Sequence, residues 1–324
     1  MINKLPITLL TQIDDVAVFQ TAAFTNVETV SASDFDLKNQ QLEPHNGANY
    51  GELNLGLHVS DEATKVLDNR MRLLAAINEQ FFTLSSQRFQ DIPIKRLHWV
   101  NQIHGKQIHD VDATALSMQP VAADAMISQQ TGLGLAIMIA DCVPIVLYQP
   151  TSGQIAAIHA GWQGLAAGII PATVKRFKES GEIKAWIGVC ISQDNYEVGV
   201  QVRDQLLKGC IENTSLTKAS IDSFDQRYAI HSDDVSKNGS KAPHLPETVD
   251  KATIHATSAA KKIKLNLPKL AADQLSSAGV RLAHESLIHC SYADDRYYSY
   301  RRQTHLQQPA TGRMALVIAR AASV

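Results

Sequence analysis

The chain has only four cysteines in 324 residues, Cys142, Cys190, Cys210 and Cys290, and no two of them form a CxxC pair. That spacing offers neither a zinc knuckle nor a dithiol redox motif, and it reads as free thiols in a reducing compartment. Long apolar runs are missing as well: no stretch approaches the roughly 20 residues needed to cross a bilayer. Near the amino end a single lysine, Lys4, and no sustained apolar core before Asp14 give no signal-peptide pattern, so a cytoplasmic protein is expected. Neither sign of charge dominates. Thirty Lys and Arg against 32 Asp and Glu leave a net charge of −2, too little to draw nucleic acid or an anionic membrane surface. There is no internal repeat. Small-molecule chemistry remains.

A hydrophobic content of 45% is enough for a substantial core. The length suits one large catalytic domain, residues 1–324, carrying an insertion. From Asp61 onward Val66, Met71, Leu73, Leu74 and Ile77 recur among charges, which predicts an amphipathic helix with an acidic first turn. Leu97 to Val100 reads as a strand. Gly134 to Ala140, Val143 to Tyr148 and Ile155 to His159 are nearly continuous apolar runs, the pattern of strands covered on both faces. Gly164 to Lys178 returns to helical spacing, as does Leu267 to Leu275, and Leu287 to Cys290 and Met314 to Ile318 read as strands. This order predicts a mixed α/β fold. Residues 211–262 differ, being dominated by Ser, Thr, Asp, Lys, Asn and Pro, with breakers at Asn238-Gly239-Ser240 and Pro243-His244-Leu245-Pro246. They are expected to form an inserted surface excursion, and the wide spacing of His231, His244 and His255 favours solvated histidines over ligands.

Chemistry gathers at the ends of the apolar runs. Ala140-Asp141-Cys142 closes one, Ile158-His159-Ala160-Gly161-Trp162 closes another, and Asn101-Gln102-Ile103-His104-Gly105 lies upstream. A thiol and an imidazole at the ends of neighbouring strands can converge, and a second imidazole can join them as a third metal ligand. Asp141 is open to two readings, acceptor for a ligand histidine or turn residue. Trp162 fits packing better than base stacking.

Several segments follow one another in a fixed order: Asn54-Leu55-Gly56-Leu57-His58, Asn69-Arg70, Asn101 to Gly105, Ala140 to Cys142, His159 to Trp162, Tyr196-Glu197-Val198-Gly199, Tyr298-Ser299-Tyr300-Arg301-Arg302 and Thr311-Gly312-Arg313-Met314. The order resembles the multicopper polyphenol oxidoreductase (laccase-like) family, whose members are regarded as purine nucleoside phosphorylases. The resemblance runs from about Asn54 to the end, outside the insertion. It implies an α/β (α+β) fold, a mixed β-sheet sandwich flanked by helices, similar to the catalytic domain of the cytotoxic necrotising factor toxins. It also implies zinc, or copper in the older laccase attribution, held by His104, Cys142 and His159. The implied activity is phosphorolysis of adenosine, inosine, guanosine and methylthioadenosine, with adenosine deamination beside it. Three protein ligands leave a fourth tetrahedral position open for water or substrate. The candidate catalytic set is His104, Asp141, Cys142 and His159. For phosphate, whose oxygens match the guanidinium fork, the candidates are Arg70, Arg301, Arg302 and Arg313, with Asn54 as a further substrate contact. Free backbone N–H groups between Gly161 and Gly168 are another place for an anion. A purine nucleoside and phosphate are therefore the expected partners, with neither nucleic acid nor membrane.

The chain also departs from the family pattern. Pro44-His45-Asn46-Gly47-Ala48-Asn49 stands where an Arg and a Gly-Gly-Val-Ser step are usual, Gln163 replaces an Arg, Gly188-Val189 replaces Gly-Pro, and Gln303 to Ala310 lengthens the final loop. With two positive charges missing near the pocket, weak phosphate binding is expected. Two rival functions use the same residues. One is a Cys/His hydrolase or amidase, such as a peptidoglycan-precursor editor, with Cys142 as nucleophile and His159 as base; the other is a non-catalytic metal-binding regulator.

Overall fold

A computed structural model describes residues 5–25, 47–84, 92–113, 119–231, 261–283 and 289–322. Two mixed sheets face each other. The first has the order β1-β2-β14-β6-β3, from β1 (Ile7–Ile13), β2 (Val16–Thr21), β3 (Arg96–His98), β6 (Leu133–Ile139) and β14 (Met314–Arg320). The second has the order β13-β9-β7-β8-β5-β4, from β4 (Ile108–Asp110), β5 (Ala125–Ser128), β7 (Val143–Gln149), β8 (Gln154–Ala160), β9 (Lys184–Ile187) and β13 (Arg281–Leu282). A small third sheet joins β10 (Glu197–Gly199), β12 (Lys262–Leu265) and β11 (Ala229–His231).

The apolar runs are continuous because both faces of each large sheet are covered. Along β14, Met314, Leu316 and Ile318 meet Val146, Tyr148, Ile155 and Ala157 of the opposing sheet. The alternate residues Ala315, Val317 and Ala319 pack on Leu73, Ile77 and Phe81 of the helix Ala63–Leu84. On the second sheet Val143, Ile145, Leu147, Ala156 and Ile158 pack against Leu165, Ile169, Leu206 and Leu270 from the helices on its outer side. The layers therefore run helix, sheet, sheet, helix. Each large aliphatic side chain so buried contributes about 1.5–3 kcal/mol.

Some sequence expectations need correction. The long helix begins at Ala63 and has no acid in its first turn; Asp61 lies just outside it, accepting from Asn54 Nδ2 and from the Glu62 N–H, both at 2.8 Å. The helix expected over Gly164 to Lys178 is broken into Trp162–Ala167 and Ile169–Val174, because Gly168 between them adopts a left-handed φ of 77°. Of Leu287 to Cys290, Cys290 makes an isolated bridge with Cys190, and residues 284–288 lie outside the described residues. The stretch 211–231 is folded rather than looped: Leu216, Phe224 and Tyr228 enter the core, and the short helices Lys218–Asp222 and Phe224–Tyr228 lead into β11. Its polar composition reflects short helices that bury one side chain per turn and expose the rest. Residues 232–260, with His244 and His255, lie outside the described residues.

Candidate metal centre and substrate cleft

The β7–β8 hairpin sets two of the three candidate ligands. Its antiparallel register pairs Val143 with Ala160 and Pro144 with His159, so Cys142 at the start of one strand lies diagonally across from His159 near the end of the other. The third, His104, sits between β3 and β4 where the chain crosses from the first sheet to the second. The ligand atoms of His104, Cys142 and His159 all lie within 4.8 Å of one another. That is close to the separation required by bonds of about 2.0–2.3 Å to a common ion. The two imidazoles meet edge to face, with ring centroids 4.7 Å apart. A thiolate and two imidazoles fit zinc and copper alike, so the donor set points to a metal without choosing it. Gly161 must be small here, because a Cβ on it would lie 3.1 Å from Cys142 Sγ.

Asp124, fully buried, holds the cluster together. Its Oδ1 pairs with His159 Nδ1 at 2.9 Å and accepts the His104 N–H at 2.9 Å, while Oδ2 accepts the Gly105 N–H at 2.6 Å. One carboxylate thus orients one ligand ring and fixes the backbone of another ligand. Burial alone would raise the Cys142 thiol, but His159 and His104 overrule it and hold it at about 6. Burial likewise lowers His159, and Cys142 and Asp124 together raise it to about 9. The protein's own groups therefore favour the thiolate, the form a metal takes up.

Two non-glycine residues at the site have positive φ, His104 at 59° and Asp141 at 105°, conformations that cost about 1–3 kcal/mol each unless neighbours enforce them. Asp124 enforces the first. The second is tied by its side chain, since Asp141 Oδ1 accepts the Ser291 hydroxyl at 2.7 Å and Oδ2 accepts the Arg301 N–H at 2.7 Å. Asp141 is therefore a turn residue that lines the cleft, and the acceptor for the ligand histidine is Asp124.

The cleft above the cluster encloses about 470 Å³ and is lined by His58, Gln102, Met138, Ile139, Ala140, Asp141, Ile191, Tyr196, Tyr300, Arg301 and Arg313 besides the three ligands. Gln102 is clamped to β6, donating to Met138 O and accepting from Met138 N, both at 2.8 Å. Arg301 places its guanidinium 5.4 Å from the Tyr196 ring and donates to Glu197 O at 2.7 Å.

The candidate phosphate residues separate. Arg301 and Arg313 line the cleft. Arg302 does not: its guanidinium donates to the carbonyls of Ser291, Tyr292, Asp294 and Tyr297 and knits a loop. Asn54 is fully buried and bonds to Gly56, Asp61 and Arg313, away from the cleft lining. Arg70 lies behind the wall, donating to Leu55 O and resting 4.2 Å from the Trp99 ring centroid. Gln163 is exposed and does not itself line the cleft. Trp162 packs on the outer helical core, and all four cysteines are free thiols. In the sequence Asp124 is marked only as a lone acid in the run Val121 to Ile127, and His58, Gln102, Tyr196 and Tyr300 only as members of the ordered motifs, so none of the five stands out as a cleft residue without the fold.

A family model described as multi-copper polyphenol oxidoreductase laccase matches residues 43–237 and 225–321. The chain belongs to this family. Among its relatives, the purine nucleoside phosphorylase YfiH of Escherichia coli (strain K12) is 38% identical over 162 residues, covering 49% of this chain and 59% of that protein. The purine nucleoside phosphorylase ORF3 of Streptomyces griseus is 31% identical over 189 residues, covering 57% and 72%. The match thus spans 59% of the Escherichia coli relative's length. A crystal structure of a Neisseria meningitidis protein has 25% identity and a TM-score of 0.62, covering 98% of this chain and all of that one. The Bacillus licheniformis hypothetical protein YfiH, with 21% identity, a TM-score of 0.62 and 98% coverage of both chains, shares the fold. No described helix is long and apolar enough to cross a membrane.

Proposed function

We propose that this protein is a zinc-dependent purine nucleoside phosphorylase, converting adenosine, inosine, guanosine or methylthioadenosine and phosphate to the free base and ribose 1-phosphate. Adenosine deamination in the same cleft is the second part of the proposal. The observation that carries it is the His104, Cys142 and His159 cluster at the foot of a cleft that also presents two tyrosines and two arginines. The names of the relatives point the same way.

Zinc held by the three residues would supply Lewis acidity at one open position. The protein's residues do the rest. Asp124 fixes the His159 ring through Nδ1, leaving Nε2 to face the cluster. Tyr196 and Tyr300 offer aromatic faces for a purine, and Arg301 steadies the first of them. In phosphorolysis the bond from ribose to base breaks, its electron pair leaves with the purine, and a phosphate oxygen bonds to the ribosyl carbon. Positive charge on the ribosyl group and negative charge on the base both grow, and cationic groups lining the cleft stabilise the phosphate and the departing base.

The test is a panel of nucleosides incubated with and without phosphate, with base, ribose 1-phosphate and ammonia assayed separately. Phosphate-dependent release of base, lost on chelation and restored by zinc, is the expected result. A second reading rests on a specific chain of contacts. Asp124, His159 and Cys142 stand in the order of an acid, base and thiol nucleophile, the arrangement of an amidase. Under that reading the metal-free protein keeps its activity and loses it to iodoacetamide.

A further inference from the structure

Two cations at one wall of the cleft have no carboxylate partner among the described residues. Arg313, which lines the cleft, donates from Nη1 to the carbonyls of Thr311 and Gly312, 3.0 Å each. Arg70, behind it, donates to Leu55 O and rests on Trp99. Two other half-buried arginines are matched by acids, Arg203 by Asp225 and Arg320 by Asp15, while Arg301 and Arg302 give their guanidinium hydrogen bonds to backbone carbonyls. Burial lowers Arg313 from its ordinary value against the smaller opposing pull of Cys142 and Asp141 in the same cleft, and brings Arg70 down to about 10. A desolvated cation without a counter-ion is expensive. Here it stands beside an imidazole, His58, that lines the same cleft and makes no hydrogen bond among the described residues. Partial burial and then the charges of Arg313, Arg70 and His104 push His58 down, and no acid counters them.

The wall is built, not accidental. The buried Asn54 accepts the Gly56 N–H at 3.0 Å and the Arg313 N–H at 2.9 Å with the same Oδ1. That one amide staples the turn leading to His58 onto the segment carrying Arg313. Gly56 lets the arginine cross the turn, since a Cβ there would lie 2.8 Å from Arg313 Cγ.

We propose that Arg313 and His58 form an oxyanion subsite of the cleft, the seat of a phosphoryl group, with Arg70 adding charge from behind and Asn54 and Gly56 acting as positioning residues. The fork of Arg313 and an imidazole N–H together match the oxygens of a tetrahedral anion. Arg302 is excluded from this role and Arg301 faces the tyrosine side. That the anion is a co-substrate rests on the phosphorolytic reading; that the subsite binds phosphoryl oxygens does not.

Calorimetric titration of the metal-loaded protein with inorganic phosphate, and separately with a nucleoside 5′-monophosphate, tests it. Arg313→Gln should weaken phosphate binding about 10- to 150-fold, the loss of one charge-assisted contact, and His58→Ala by about 3- to 10-fold, a neutral hydrogen bond's share. Gly56→Ala, whose Cβ displaces the Arg313 side chain, should act in the direction of Arg313→Gln with metal content unchanged and a lowered melting temperature. Lys175→Gln, at an exposed position away from the cleft, should change nothing. Unfolding measurements show which variants remain native, and the exposed His58 keeps the test open should Arg313→Gln not fold. Unchanged affinity for both probes in native His58→Ala and Arg313→Gln overturns the proposal. So does an equal loss of unphosphorylated nucleoside binding. An effect confined to the monophosphate supports the subsite and makes its ligand a nucleotide. Phosphate binding that depends on Arg313 in a protein that splits no nucleoside supports the subsite and overturns the phosphorylase reading, whereas phosphate-dependent cleavage indifferent to both residues does the reverse.

Discussion

Asp124 and Asn54 are both fully buried, and each accepts hydrogen bonds from two backbone N–H groups on segments that carry cleft residues. One is a carboxylate and the other an amide of nearly the same shape. The carboxylate stands behind the wall that gathers His104, Cys142 and His159, where its charge would support imidazoles that hold a cation. The amide stands behind the wall that carries His58 and Arg313, where a negative charge would satisfy the arginine internally and leave nothing for a ligand. On the proposed reading the same local device gives one wall a preference for a metal and keeps the other open to an anion, and the charge at the buried anchor decides which.

The largest expected effect comes from removing the charged anchor. Asp124→Ala leaves the His104 and Gly105 N–H groups and His159 Nδ1 without their acceptor. It should cost about 3–5 kcal/mol, as breaking a buried pair does, and weaken metal binding about 10- to 100-fold or more. Urea denaturation and a competitive zinc titration measure both. Asp124→Asn puts an amide where the Gly105 N–H needs an acceptor, and should lose metal affinity even where stability is largely kept. Wild-type metal affinity in Asp124→Asn would break the comparison.

Swapping the neutral anchor for a charged one is the complementary change. Asn54→Asp brings a second carboxylate to within about the 2.8 Å that now separates Asn54 Nδ2 from Asp61 Oδ2, and loses that hydrogen bond. A loss of about 1–3 kcal/mol is expected, with weakened phosphate binding and unchanged metal stoichiometry. Phosphate binding as strong as in the wild type would show that the anchor's charge is not felt at Arg313.

How far this was legible in the sequence depends on range. The strands of the apolar runs, the long helix and the three metal-binding candidates are all visible, because continuous apolar runs, the period-3.6 pattern and short motifs are local. What joins them is not. Asp124 reaches His104 and His159 across 20 and 35 residues, and Asn54 meets Arg313 across 259, so neither partnership leaves a spacing to read. Gly168 broke an expected helix because its apolar neighbours keep helical spacing while its own φ does not. The polar stretch after residue 211 hides its folded part, 211–231, for a related reason: composition counts residues, whereas a few apolar side chains, Leu216, Phe224 and Tyr228 foremost, fix the segment to the core.

Arginines sort by what they already hold. Arg302→Gln removes charge-assisted bonds to four carbonyls and should destabilise by about 1.5–3 kcal/mol while the phosphate KM of the remaining native protein stays put. A raised phosphate KM at unchanged stability would place Arg302 with the anion wall after all.

The smallest effect is expected where the family's usual arginine is replaced. Gln163 is exposed on the helix Trp162–Ala167, whose partly buried Trp162 packs on the outer core, and it does not line the cleft. Gln163→Arg therefore adds a solvated charge, which screening reduces to little at physiological salt. Stability should change by less than about 0.5 kcal/mol, the range of surface substitutions, and the phosphate KM by less than about twofold. If instead the substitution lowers that KM about tenfold with deamination unaffected, the long arginine side chain reaches the cleft from outside. The anion wall then extends past Arg313 to the helix that follows the metal ligands, and the two walls are no longer separate in charge.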